Sequence, residues 1–259
     1  MDIPVNITMP PLCLYVMFEV YRYLISHLSS RVALLVLAVV LVQGPVLSAR
    51  AAADVESQEQ ICDPLADYFL GMEDYKEAIR LHLKVIQEHP DNALAHYHLG
   101  FAYGMLGQHR DELKRYREAI ELGLSDWALF LNLGMLYLEN ERPETATDIL
   151  QLATLLGPDR PETHFNLGLA YERRGKLAQA EQQFLLSLRL DPNQAEARNM
   201  LGVIYAEQGN YARAREEWTE LARTKPSYEP ARANLAALER SERGDTKSAR
   251  HVSDFVHTP

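Results

Sequence analysis

The side chains of this chain best suited to holding a metal or attacking a carbonyl are nine histidines and two cysteines, and their spacing decides what they can do. The tightest histidine pair is His96-Tyr97-His98. Residues two apart on a helix point to different faces, so these two rings are not expected to share an ion. Cys13 falls in a segment expected to be removed, and Cys62 has no partner at zinc-site spacing. There is no glycine loop to cradle phosphate and no Gly-x-Ser-x-Gly elbow. No catalytic residue, metal or cofactor is therefore expected, and Cys62, His96 and His164 read as packed or partly exposed side chains. The runs Glu172-Arg173-Arg174 and Arg213 to Glu217 read as solvated helix faces. Lys and Arg number 26 against 36 Asp and Glu, and the net charge of −10 works against binding nucleic acid.

What such side chains can do depends on the elements that carry them, and those elements repeat. Leu65, Leu99, Leu133, Leu167, Leu201 and Leu235 are spaced 34 apart, each followed by Ala or Gly (Ala66, Gly100, Gly134, Gly168, Gly202, Ala236). Four residues after the Leu comes an aromatic, Phe69, Tyr103, Tyr137, Tyr171 and Tyr205, until Glu239 ends the series. Later in each unit stand Ala78, Ala146, Ala180 and Ala214, with Glu112 the one departure, and Pro90, Pro158, Pro192 and Pro226, with Leu124 the one departure. A constant period of this length marks a stack of supersecondary units.

Leu, the small residue and the aromatic fall at i, i+1 and i+4, on one face of an amphipathic helix. Gly there lets a neighbouring helix come close, so Gly134, Gly168 and Gly202 are expected at tight helix contacts. Gly107, Gly175 and Gly209 stand where the first helix should end. A second helix carries the Ala position and a bulky one four later: His82, Tyr116, Leu150, Phe184 and Trp218. Pro then stops it, and Asp91, Asp159, Asn193 or Ser227 is expected to cap the next. Neither helix can bury its apolar face alone, so stacking makes the core.

This pattern resembles the tetratricopeptide repeat family, and residues 164–192 keep nearly all of its motif. The resemblance implies an all-α, right-handed superhelical solenoid over 59–243. Its units are 59–92, 93–126, 127–160, 161–194 and 195–228, with a polar capping helix at 229–243 carrying Arg232, Glu239 and Arg240, and a polar tail at 244–259. It also implies a non-enzymatic scaffold whose partner is a protein or peptide held on the concave face by the first helix of each pair. The corresponding positions are Tyr97, His98, Phe101 and Met105, then Leu131, Asn132, Met135 and Leu138. The fourth unit supplies Phe165, Asn166, Leu169, Glu172 and Arg173, and the fifth Asn199 and Val203. Asn132 and Asn166 resemble two steps of the asparagine ladder of O-GlcNAc transferase repeats, whereas Leu131, Met135, Phe165 and Leu169 stand where chaperone-binding members carry a carboxylate clamp. Two readings of the apolar positions stand side by side: a groove for an apolar-rich peptide or helix, or a thicker core. The tail around Phe255 is a third claimant for the groove.

Residues 32–42 form an apolar run after Arg31 and before Gly44-Pro45 and the small residues at 51–53. This is the layout of a secretory signal. A spanning helix needs about 20 apolar residues, which favours cleavage after Ala51 or Ala53 over a retained anchor. The expectation is an exported or periplasmic domain serving envelope or secretion-type assembly, with a membrane-anchored scaffold as the alternative.

Overall fold

In the computed structural model, residues 63–243 are described, and they form eleven α-helices with no strand among them. The helices come in pairs: α1 (Pro64–Gly71) with α2 (Tyr75–Glu88), α3 (Ala93–Met105) with α4 (His109–Glu121), α5 (Trp127–Glu139) with α6 (Pro143–Leu156). Then follow α7 (Pro161–Arg173) with α8 (Leu177–Leu190), α9 (Ala195–Glu207) with α10 (Tyr211–Thr224), and a closing α11 (Glu229–Arg243). Each helix packs on its neighbour in the chain, and α5 also touches α7, so first helices stack on first helices. The result is a solenoid of helix-turn-helix units. No described helix is long and apolar enough to cross a membrane. The segment at 1–53, Cys62 and the tail at 244–259 lie outside the described residues.

The close helix contacts expected at Gly134, Gly168 and Gly202 are present, and Gly100 makes one of the same kind. A Cβ added to Gly134 would stand 2.5 Å from Leu150 Cγ, and one on Gly100 or Gly168 would stand 2.6 Å from the ring of Tyr116 or Phe184. Gly202 faces Trp218 in the same way. All four bulky partners are at most 1% exposed, so the bare backbone of the first helix forms the floor of the slot each one fills. In the first unit the same two register positions hold Ala66 and His82, both fully buried.

The turn inside each hairpin needs one residue in the left-handed region. Gly107, Gly175 and Gly209 supply it at φ of 69°, 67° and 77°. The same register position in the other two units is Glu73 (φ 61°) and Glu141 (φ 55°), which pay the Cβ penalty glycine avoids. Three of the four consensus tyrosines take a cation against their rings: Arg142 over Tyr137 at 5.8 Å, Lys176 over Tyr171 at 5.9 Å and Arg213 over Tyr205 at 5.4 Å.

The helix starts differ from the sequence expectation. Asp91, Asp159 and Asn193 are not the caps. The capping position is one residue later, where Asn92 accepts from Ala95 N–H at 2.9 Å and, one unit on, Asp126 accepts from Ala128 N–H at 2.7 Å. At the equivalent positions Arg160 and Gln194 give no side-chain cap. Helix α7 begins instead with Pro161, whose missing N–H needs no acceptor. The turns before α3, α7 and α9 are fastened from the helix side. His96 Nε2 lies 3.2 Å from the Pro90 carbonyl, His164 Nε2 3.1 Å from that of Pro158, and Arg198 donates to that of Pro192 at 3.5 Å.

The two ends of the stack are unlike its middle. Leu99, Leu133, Leu167 and Leu201 are nearly inaccessible, but Leu65 on the eight-residue α1 is 52% exposed. At the other end α11 buries Ala231, Asn234 and Leu238 and turns Arg232, Glu239 and Arg240 to solvent.

Candidate functional site

The side chains singled out on the first helices separate into three groups once stacked. Leu131, Leu138, Phe165, Asn166, Asn199 and Val203 are buried, so the expectation of an open groove is corrected for these six. Leu131 and Leu138 pack with Leu167 and Ala170 of the next first helix, Phe165 with Phe184, Met200 and Ile204, and Val203 with Trp218 and Leu238. They lie off the Leu-Gly-Tyr stripe, but the neighbouring first helix covers the adjoining strip as well, so the apolar zone is wider than one hairpin requires. The asparagines are engaged internally. Asn166 Nδ2 donates to the Glu162 carbonyl at 2.9 Å, and Asn199 Oδ1 accepts from Asn234 at 3.0 Å, which docks the cap helix through a buried amide pair. Asn132 Nδ2 donates to Tyr97 Oη at 3.2 Å.

Tyr97, His98, Phe101, Asn132, Leu169 and Glu172 are partly buried, and Met105, Met135 and Arg173 are exposed. Among them, Phe101, Met105, Asn132 and Met135 come together in one cleft of ≈ 160 Å³ between α3, α4 and α5. The methionines flank it, Met105 52% and Met135 39% exposed. Tyr97 lies behind, its hydroxyl pushed up to about 12 by burial and by the charge of Asp126.

Other cleft residues escaped the sequence reading: Gly104, His109, Glu112, Leu136 and Glu139. Glu112 occupies the slot that is a fully buried Ala in the other four units. Room for it comes from Gly104, where a Cβ would meet Glu112 Oε1 at 2.6 Å. Glu112 is 7% exposed, and burial raises its pKa against the pull of His109, whose Nδ1 lies 3.1 Å from Oε2. His109 is also 3.9 Å from Glu139 on the rim. The signal was present, since Glu112 alone breaks the Ala series. Its meaning needed the pairing with Gly104.

His96 and His98 do point apart. His96 Nδ1 meets Glu118 Oε2 at 3.0 Å, whereas His98 turns toward α1 and α2, with Nδ1 2.8 Å from Asp67 Oδ1. There it joins His82, whose Nε2 is 3.8 Å from the same oxygen and whose ring meets that of His98 edge-on at 5.3 Å. One ligand atom from each of Asp67, His82 and His98 lies within 4.8 Å of the others, a grouping that could hold a metal. Burial, and then the neighbouring His98, pushes His82 down to about 4, and burial also lowers His98.

Solved structures with this fold include YrrB, described as a TPR protein with an unusual peptide-binding site. It is 24% identical, with a TM-score of 0.59, over 70% of this chain and 94% of that one. MamA is 23% identical over 65% of this chain and all of the other, with a TM-score of 0.59. A repeat protein from Cytophaga hutchinsonii is 17% identical, with a TM-score of 0.61, over 72% and 73% of the two chains. Among curated proteins, none matches significantly. The tetratricopeptide repeat model matches residues 64–123, 131–195 and 165–230, and with its consensus glycines, aromatics and hairpins in register the chain belongs to the tetratricopeptide repeat family.

Proposed function

We propose that this protein is a non-enzymatic scaffold that holds an apolar-rich peptide or helix of another protein in the cleft between α3, α4 and α5. The observation that carries this reading is the gathering of Phe101, Met105 and Met135 beside Glu112 and Glu139. Methionine reshapes easily around a partner, and exposed aromatic and Met side chains suit a binding surface. The exposed Glu139 carboxylate on the rim favours a partner that presents Lys or Arg next to its apolar anchor. The peptide-binding site of YrrB, on the same fold, supports a peptide as the occupant.

The place of action is proposed from residues 32–42: a cleaved signal would put the domain outside the cytoplasm, serving assembly of an envelope or secretion-type complex. Retention of the same segment would make the protein a membrane-anchored scaffold that positions a complex or dimerises through its solenoid. The intact mass of the protein purified from its host separates the two.

Selection of a random peptide library on the purified chain tests the cleft. Retained peptides should pair apolar residues with Lys or Arg, and Phe101→Ser with Met135→Ser should weaken them about tenfold or more, since one anchor contributes on the order of 1–2 kcal/mol. Peptides held equally well by the double variant would place binding elsewhere.

A further inference from the structure

We propose that Asp67, His82 and His98 form a binding site for one divalent transition metal ion of the zinc class, which staples the first repeat to the second. The three residues come from three helices, α1, α2 and α3, and nothing in their sequence spacing brings them together. The ligand chemistry is two imidazoles and a carboxylate, a set that suits zinc and leaves a fourth position for water.

Geometry comes close to what such an ion needs. Ligand atoms about 2.0–2.1 Å from a tetrahedral ion stand about 3.3 Å from one another. Here His98 Nδ1 and His82 Nε2 are 2.8 Å and 3.8 Å from Asp67 Oδ1, so small rotations bring the set onto an ion. A second observation points the same way. His82 is fully buried and neither of its ring nitrogens has a hydrogen-bond partner. The equivalent positions in the other units hold Tyr116, Leu150, Phe184 and Trp218, so packing does not require a histidine in this slot. A buried imidazole without partners is costly, and a metal turns that cost into a bond.

Binding balances simply. Neutral His82 offers a lone pair at Nε2, His98 takes the tautomer with its proton on Nε2 and offers Nδ1, and Asp67 brings one negative charge. The exposed edge of Asp67, 37% accessible, gives the ion its entry from solvent. The mechanical consequence falls on α1, the shortest described helix, which the ion would tie to α2 and α3.

The test uses the tag-free chain, stripped with chelator and titrated with Co²⁺ and then Zn²⁺. Expected are one ion per chain, visible cobalt bands of a four-coordinate site that zinc bleaches, and a raised thermal midpoint. Asp67→Asn, His98→Ala and His82→Leu should each weaken binding about tenfold or more. His82→Leu places in this slot the residue that Leu150 already is, and circular dichroism in chelator checks that each variant remains folded. His164→Ala should leave metal binding unchanged. Absence of stoichiometric binding to the folded parent, or binding that survives both Asp67→Asn and His98→Ala, would overturn the proposal.

Discussion

The α-carbon of Gly168 lies under the ring of Phe184, so close that a Cβ there would stand 2.6 Å from Cε1 and 2.8 Å from Cδ1. Phe184 is fully buried, and its ring is also 5.7 Å from that of Phe165, so it has nowhere to retreat. Gly168→Leu should therefore cost about 1–3 kcal/mol or more, read as a lower thermal midpoint. An unchanged midpoint would mean that the hairpin can open without loss.

Phe165 and Met135 hold comparable places in the sequence pattern and very different ones in the stack, 8% against 39% exposed. Phe165→Ser should destabilise the fold by about 3 kcal/mol or more, through lost burial and a stranded hydroxyl. Met135→Ser should change stability by no more than about 0.5 kcal/mol. Urea denaturation of the two variants side by side reads the difference directly.

Acid should loosen the first repeat in metal-free buffer. Unfolded His82 takes up a proton as pH falls past about 6.5, whereas the folded residue stays neutral down to about 4. The folded state thus binds fewer protons in that interval. Stability is whole above about pH 6.5 and drains away toward pH 4, by at most roughly 3 kcal/mol from this residue. His98, also lowered, adds in the same direction. Hydrogen exchange between pH 7 and 5 should show α1 and α2 losing protection first, and His82→Leu should flatten the dependence.

Glu141 holds a left-handed backbone at φ 55° where three other units have glycine. Glu141→Gly should stabilise the chain by about 0.5–1 kcal/mol, the relief of Cβ strain being partly offset by the greater freedom of unfolded glycine. A rise in the thermal midpoint is the expected reading. A fall would show that the Glu141 side chain contributes more than its backbone costs.

Within one hairpin the sequence was almost fully legible. The close-contact glycines Gly134 and Gly202, the buried bulky series that includes Leu150 and Trp218, and the turn glycines at 107, 175 and 209 could be read from the 34-residue spacing, because every unit solves the same packing problem with the same offsets; which glycine meets which bulky side chain came from the structure. Even the exception at Glu112 showed as an exception.

Contacts between units were decided only in the tertiary structure. How far one first helix overlaps the next depends on side-chain volumes met across the stack, and no period encodes that. Val203 and Asn199 therefore disappear into the contact with α11, while Met135 at the register position of Val203 stays open. The caps at Asn92 and Asp126, one residue later than the spacing suggested, were likewise visible only in the structure. The grouping of Asp67, His82 and His98 is the strongest case. Sequence determined that each sits on a helix of a repeating hairpin; that three helices aim them at one point follows from the fold, because convergence is a property of how units stack and not of any unit alone.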